Sequence, residues 1–228
     1  MKNYLPKVFF VLFFIAGWTA CSYAEEWVPV TTFDTTWVVV SESLGTGTVT
    51  TKDTTINLTA NGTIDGGFFG GLYKTETTGI AGMGANLRID KFSGNCSLGL
   101  KADIGQIGNK QIKVFIYLAE YNGNEGIQYS IEMLDMTTKV SDVFASGSFG
   151  PWDGAWVPGK LQSVAFVRVG SELWFYADGF KQLHKILLLD GIEPIKVSVG
   201  GFVNAPQSTN VSLTSITGSI SDVYLYYQ

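Results

Sequence analysis

From Glu26 onward, apolar and polar positions alternate in short runs broken by Gly, Asn and Asp. No stretch shows the three-to-four residue spacing of a long helix. The most decisive run is Leu161 to Phe180, LQSVAFVRVGSELWFYADGF. Gly170-Ser171 is a two-residue connection of the kind that closes a tight hairpin. That turn predicts the pairs Arg168 with Leu173, Phe166 with Phe175 and Val164 with Ala177 on one face. The other face carries Val169 with Glu172, Val167 with Trp174 and Ala165 with Tyr176. Both faces are largely apolar, so the hairpin belongs inside a sheet rather than at a half-wet edge.

The same alternation predicts the other elements. Glu26 to Ser43 gives short strands, and Thr48 to Thr63 gives Thr-rich edge strands turning at Asp53 and Asn61-Gly62. Gly66 to Gly71 reads as a tight bend displaying or tucking Phe68 and Phe69. Strands follow at Leu72 to Glu76, Gly79 to Asp90 and Cys96 to Ile104. A hairpin pairs Gln111 to Tyr121 with Ile127 to Leu134, and Lys139 to Phe149 is a further strand before the loop Gly150 to Lys160. Gln182 to Leu189 fits a strand or a short helical turn; Ile195 to Val203, Val211 to Thr217 and Ser219 to Tyr227 close the chain. Turns every 8 to 12 residues or so indicate an all-β sandwich or barrel. No repeat or linker divides the chain, so residues 25–228 are expected to form a single domain.

The first 24 residues change the address. Lys2 and Lys7 precede the apolar run Val8 to Gly17, and Ser22-Tyr23-Ala24 offers the small residues a signal peptidase needs. A secretory signal peptide is expected, with the mature protein secreted or periplasmic and not membrane-spanning. Cys21, after Ala20, offers an alternative lipid anchor. With the leader gone Cys96 stands alone, excluding an internal disulfide; it reads as a small core residue. The formal net charge is −5, and no basic stripe exists to displace counterions from phosphate, which excludes nucleic acid as a partner.

The segment from Trp152 to Tyr227 resembles the concanavalin A-like lectin/glucanase superfamily, laminin-G-like members above all. The resemblance is carried by Trp156 to Lys160, Ala165 to Gly170, Leu173 to Gly179 and the closing strand Gly218 to Tyr226. It implies a two-sheet antiparallel jelly-roll sandwich, one sheet convex and one concave, with glycans bound on the concave side or at rim loops. Leu173, Phe175 and Ala177 would pack between the sheets, and Trp174 and Tyr176 would point outward.

Candidate chemistry is sparse. The glucanases of that superfamily carry Glu-x-Asp followed one or two residues later by Glu on one strand. Here the nearest feature is Glu132 and Asp135, three apart and therefore on opposite faces of a strand. Glu132 reads as an outward polar residue and Asp135 as a turn. His184, the one histidine, lacks the lyase motifs of the superfamily. One His and one mature Cys exclude a zinc site of the usual ligands. Calcium is the cation left, with Asp153, Asp178 and Asp222 at loop or strand ends as its candidate ligands. Candidate ligand-binding residues are Trp152, Asp153 and Trp156 in the loop before the central hairpin, and Trp174 and Tyr176 on it. Flat aromatic faces suit sugar rings, while neighbouring polar groups orient the hydroxyls. Triplets for N-glycosylation occur at Asn57, Asn61, Asn95 and Asn210.

The sequence therefore points to an exported binding module without catalysis, recognising a carbohydrate. The alternatives are a structural or adhesion module holding a cell-surface or extracellular protein, and a divergent glycoside hydrolase. A membrane barrel is disfavoured because several strands are apolar on both faces, whereas a pore face is polar.

Overall fold

A computed structural model describes residues 26–121, 124–149, 158–170, 172–177, 182–187 and 198–228. The predicted leader, Trp152, Asp153, Trp156 and Asp178 lie outside the described residues. Among the described residues there is no helix, and fifteen strands form two antiparallel sheets.

The first sheet contains β1 (Glu26–Pro29), β3 (Thr46–Lys52), β4 (Thr55–Asn61), β6 (Ile80–Ser93), β11 (Gln162–Val169), β12 (Glu172–Ala177), β13 (Gln182–Leu187) and β15 (Ser215–Tyr227). Its order is β13-β12-β11-β6-β15-β4-β3, with β1 paired to the second half of β15. The second sheet contains β2 (Trp37–Ser43), β5 (Phe68–Lys74), β7 (Cys96–Ile107), β8 (Lys110–Tyr121), β9 (Asn124–Asp135), β10 (Ser141–Phe149) and β14 (Ser198–Ala205). Its order is β10-β9-β8-β7-β14-β5-β2. Successive side chains alternate between core and solvent, so each strand contributes one row to the space between the sheets.

The central hairpin has the expected register, including Phe166 opposite Phe175 and Val167 opposite Trp174. Gly170 adopts φ +59°, the left-handed conformation that a primed turn demands. The hairpin lies inside the sheet, between β6 and the edge strand β13. Its inner face gives Val164, Phe166, Leu173, Phe175 and Ala177 to the core. Phe175, fully buried, stacks on Tyr129 of the opposite sheet with ring centroids 4.5 Å apart and planes at 20°. Cys96 is buried in the same core, as its composition suggested.

Two local expectations change, and one left open is settled. Gly66 to Gly71 is not a bend alone: Phe68–Lys74 is a strand paired on both sides, with Phe68 turned into the core and Phe69 to the outer face. Val211 is fully exposed in a turn closed by the backbone bridge between Thr209 and Ser212, and the strand begins only at Ser215. The apolar run from Gln182 is a strand over Gln182–Leu187, drawn into the ladder by pairing with β12.

Candidate functional site

The groove lies on the outer face of the seven-stranded sheet, and strand register builds it. Four rows of side chains cross the strands there. The first runs Ser198, Asp103, Lys113, Glu132 across β14, β7, β8 and β9. The second runs Gly200, Lys101, Phe115, Ser130, and the third runs Gly71, Phe202, Gly99, Tyr117, Gln128 over β5 to β9. The fourth runs Phe69, Asn204, Ser97, Ala119. Charge thus gives way to aromatic rings, then to small and amide side chains.

Glycines leave space for the rings. A Cβ at Gly71 would run into the Gly201 carbonyl and lie 2.7 Å from Tyr73 Oη, so the Tyr73 ring can settle back over this position. Phe202 is buried, only 3% exposed, beneath the half-buried rings around it. Phe69 stacks on it at 5.6 Å, and Phe115 and Tyr117 meet it edge-on at 5.6 and 6.2 Å. Phe69, Phe115 and Tyr117 thus offer ring surface to the groove while Phe202 braces them from below.

The charged part is equally organised. Lys101 Nζ lies 5.7 Å from the Phe69 ring centre and 5.2 Å from that of Tyr73. It also donates to Asp103 Oδ2 at 3.2 Å, and Ser198 Oγ donates to the same oxygen at 3.1 Å. Glu132 accepts from Ser130 Oγ at 3.3 Å and from Ser141 Oγ at 3.1 Å. Tyr117 Oη donates to Gln128 at 3.5 Å. Burial pushes the Tyr73 hydroxyl well above the ordinary phenol range and raises that of Tyr117. Tyr73 Oη is buried and has no hydrogen-bond partner among the described residues.

Two adjoining lobes result, both open to solvent, of about 350 Å³ and about 440 Å³. Phe69, Phe115 and Glu132 border both. Phe202, Tyr117, Gln128, Asn95 and Asn204 line the aromatic lobe. Glu42, Lys101, Asp103, Lys113, Ser141 and Ser198 line the charged lobe.

Trp174 and Tyr176 point outward as expected, but on the eight-stranded sheet, opposite the groove. They are half-buried against Ala81, Val167, Tyr226 and Trp27. Trp174 Nε1 donates to Glu172 at 3.1 Å. Asp222 sits at a register shift in β15 with φ +49° and accepts from Asn86 Nδ2 at 2.7 Å. Among the described residues no group of three or more His, Cys, Asp or Glu is placed to hold a metal ion. Glu132 points to the outer face, and Asp135 caps a turn by accepting from the backbone N–H groups of Thr137 and Thr138. His184 falls on β13 opposite Phe175 in the ladder.

Sequence reasoning missed the groove residues Phe69, Lys101, Asp103, Lys113, Phe115 and Tyr117. One signal was present: in β8, Lys113, Phe115 and Tyr117 alternate with Ile112, Val114, Ile116 and Leu118. That period-two pattern marks an aromatic, hydrogen-bonding face. Its meeting with Phe202 and Asp103 depends on register between strands distant in sequence.

No protein-family model matches the sequence, and no curated protein matches it. Solved structures do. A Bacillus licheniformis beta-glucanase is 14% identical, with 91% of this chain and 100% of that chain covered and a TM-score of 0.58. The fold is the concanavalin A-like sandwich. A glycoside hydrolase family 16 endo-glucanase from Bacteroides ovatus, in complex with G4G3G-2F-DNP, is 8% identical over 86% of this chain and 96% of that chain, TM-score 0.56. A Bacteroides ovatus GH16 protein of a mixed linkage glucan PUL, in complex with a G4G4G3G product, gives 9%, 85%, 96% and 0.56. Likeness at these identities establishes the concanavalin A-like architecture. The glucan ligands in those titles belong to those proteins.

Proposed function

We propose that this protein is an exported carbohydrate-binding module that holds a glycan in the groove of the seven-stranded sheet without cleaving it. The carrying observation is the set of ring surfaces from Phe69, Phe115 and Tyr117, braced by Phe202 and bordered by Asn, Gln, Ser, Lys and carboxylate side chains. Rings take up the apolar C–H face of a sugar, and the polar border orients its hydroxyls. The neighbours with glucan-derived ligands support the same class of partner.

Three observations speak against hydrolysis and support binding without cleavage. Asp103 and Glu132 stand two strands apart, which places their backbones roughly 10 Å from each other. Lys113 stands between them, and each carboxylate is held by its own donors. A glycosidase needs one carboxyl free to give up a proton and a second aimed at the anomeric carbon. Trp152, Asp153 and Trp156 remain proposed contributors to binding. Asp153, Asp178 and Asp222 remain the proposed ligands should calcium bind.

A glycan-array screen of the full chain, in calcium and again in chelator, tests the function. Saturable binding to one sugar class, without release of shorter products, is expected. Silence across a broad array from folded protein would overturn the reading and favour a structural or adhesion module. Product release would favour a hydrolase.

A further inference from the structure

The charged lobe carries a discrimination between neutral and acidic sugars; this inference rests on the carbohydrate reading above. Lys113 of β8 stands directly opposite Asp103 of β7 and Glu132 of β9, and is paired with neither. Among the described residues no carboxylate lies within ion-pair distance of its ammonium. Asp103 is committed to Lys101 and Ser198, and Glu132 to Ser130 and Ser141. Lys113 is half-buried, so it has lost part of its hydration without gaining a hydrogen-bond or ion-pair partner among the described residues. Burial and then the Lys101 charge disfavour its ammonium, and Asp103, Glu132 and Glu42 offset them only in part.

Asp103 Oδ1 is buried and, among the described residues, is met only by the Lys101 ammonium, 3.2 Å away as an ion-pair partner. Lys113 therefore offers donors, and Glu132, half-buried at the border of the lobe, offers acceptor capacity beside it. A sugar hydroxyl both donates and accepts, whereas a carboxylate or sulfate only accepts. The charge balance points the same way: Glu42, Asp103 and Glu132 outnumber Lys101 and Lys113 along the lobe. The whole chain carries a formal net charge of −5, so an acidic polymer is repelled on approach as well as in contact.

We propose that the charged lobe is the subsite for a neutral sugar residue, with Lys113 as the specificity-determining contact to its hydroxyls and the flanking carboxylates turning acidic sugars away.

Titration calorimetry on the full chain tests this with neutral hexaoses of glucose, mannose and xylose, and with a galacturonate hexamer. A neutral hexaose should bind at least about tenfold more tightly than the galacturonate hexamer. Lys113→Met should weaken the neutral complex about tenfold or more, and Lys113→Arg should retain most of it. Glu42→Gln should raise galacturonate affinity severalfold. Thermal unfolding of each variant checks that the fold is kept, and Lys113→Gln serves if the Met variant does not fold. Tighter binding of galacturonate than of any neutral sugar would overturn the inference. So would a Lys113→Met complex within twofold of the parent. Either result leaves the carbohydrate reading standing, as does failure to bind any of these neutral hexaoses by a protein that binds on the array, which overturns the inference alone; silence across the array overturns both.

Discussion

Phe69 of β5 and Phe202 of β14 stack diagonally across their strand pair, with ring centroids 5.6 Å apart and planes at 24°. The two rings do different jobs. Phe202 is buried, whereas Phe69 borders both lobes of the groove. Phe202→Ala is therefore expected to destabilise the fold by about 3–5 kcal/mol, the range for removing a buried ring. Phe69→Ala should cost less stability and weaken glycan binding. Denaturant unfolding beside calorimetric titration separates the two effects; equal stability losses would contradict this division.

Tyr73 brings a polar atom into the wall of the groove without a partner. Its hydroxyl is buried and makes no hydrogen bond among the described residues, which is costly wherever water is excluded. Tyr73→Phe is expected to stabilise the protein by about 1 kcal/mol at neutral pH. Burial raises the folded-state pKa of this phenol above its unfolded value. The folded state then holds more protons than the unfolded state once pH passes about 10, and stability falls as pH rises from there. Tyr73→Phe should lose less stability over that range, so its advantage should widen. Unfolding midpoints from pH 8 to 11 check the sign; a constant or shrinking advantage would contradict it.

Phe175 joins the two sheets through its stack on Tyr129, and nothing of it is exposed. Phe175→Ala should cost about 3–5 kcal/mol. Gly170, in the same hairpin, has φ +59° and open space where a Cβ would stand. Gly170→Asn should therefore be tolerated within about 1 kcal/mol, because Asn visits this conformation readily. Thermal unfolding of both variants provides the check.

The central hairpin was legible in the sequence down to its residue pairs because a two-residue turn fixes register locally. Trp174 and Tyr176 were legible as outward residues for the same reason. The sheet face they share, and its position opposite the groove, depends on which strands become neighbours. β6 and β15 pair across more than a hundred residues of sequence, as do β7 and β14 across nearly as many. No local pattern announces such a pairing. The groove was hidden for that reason: Lys113, Asp103 and Glu132 fall on three strands, and Phe202 reaches the aromatic row from a fourth. The bend expected at Gly66 to Gly71 failed differently. Four glycines suggested a turn, whereas Gly70 and Gly71 lie within a strand paired on both sides, where added side chains would crowd.

The most direct test of the account compares Phe115→Ala and Trp174→Ala in calorimetric titration with a sugar that the parent protein binds. Phe115 lines both lobes of the groove, whereas Trp174 stands on the opposite sheet. We predict at least about a tenfold loss of affinity for Phe115→Ala, the scale for losing one well-placed aromatic contact, and parent-like affinity for Trp174→Ala. Full binding by Phe115→Ala with loss in Trp174→Ala would contradict the account and move the site to the outer face of the eight-stranded sheet.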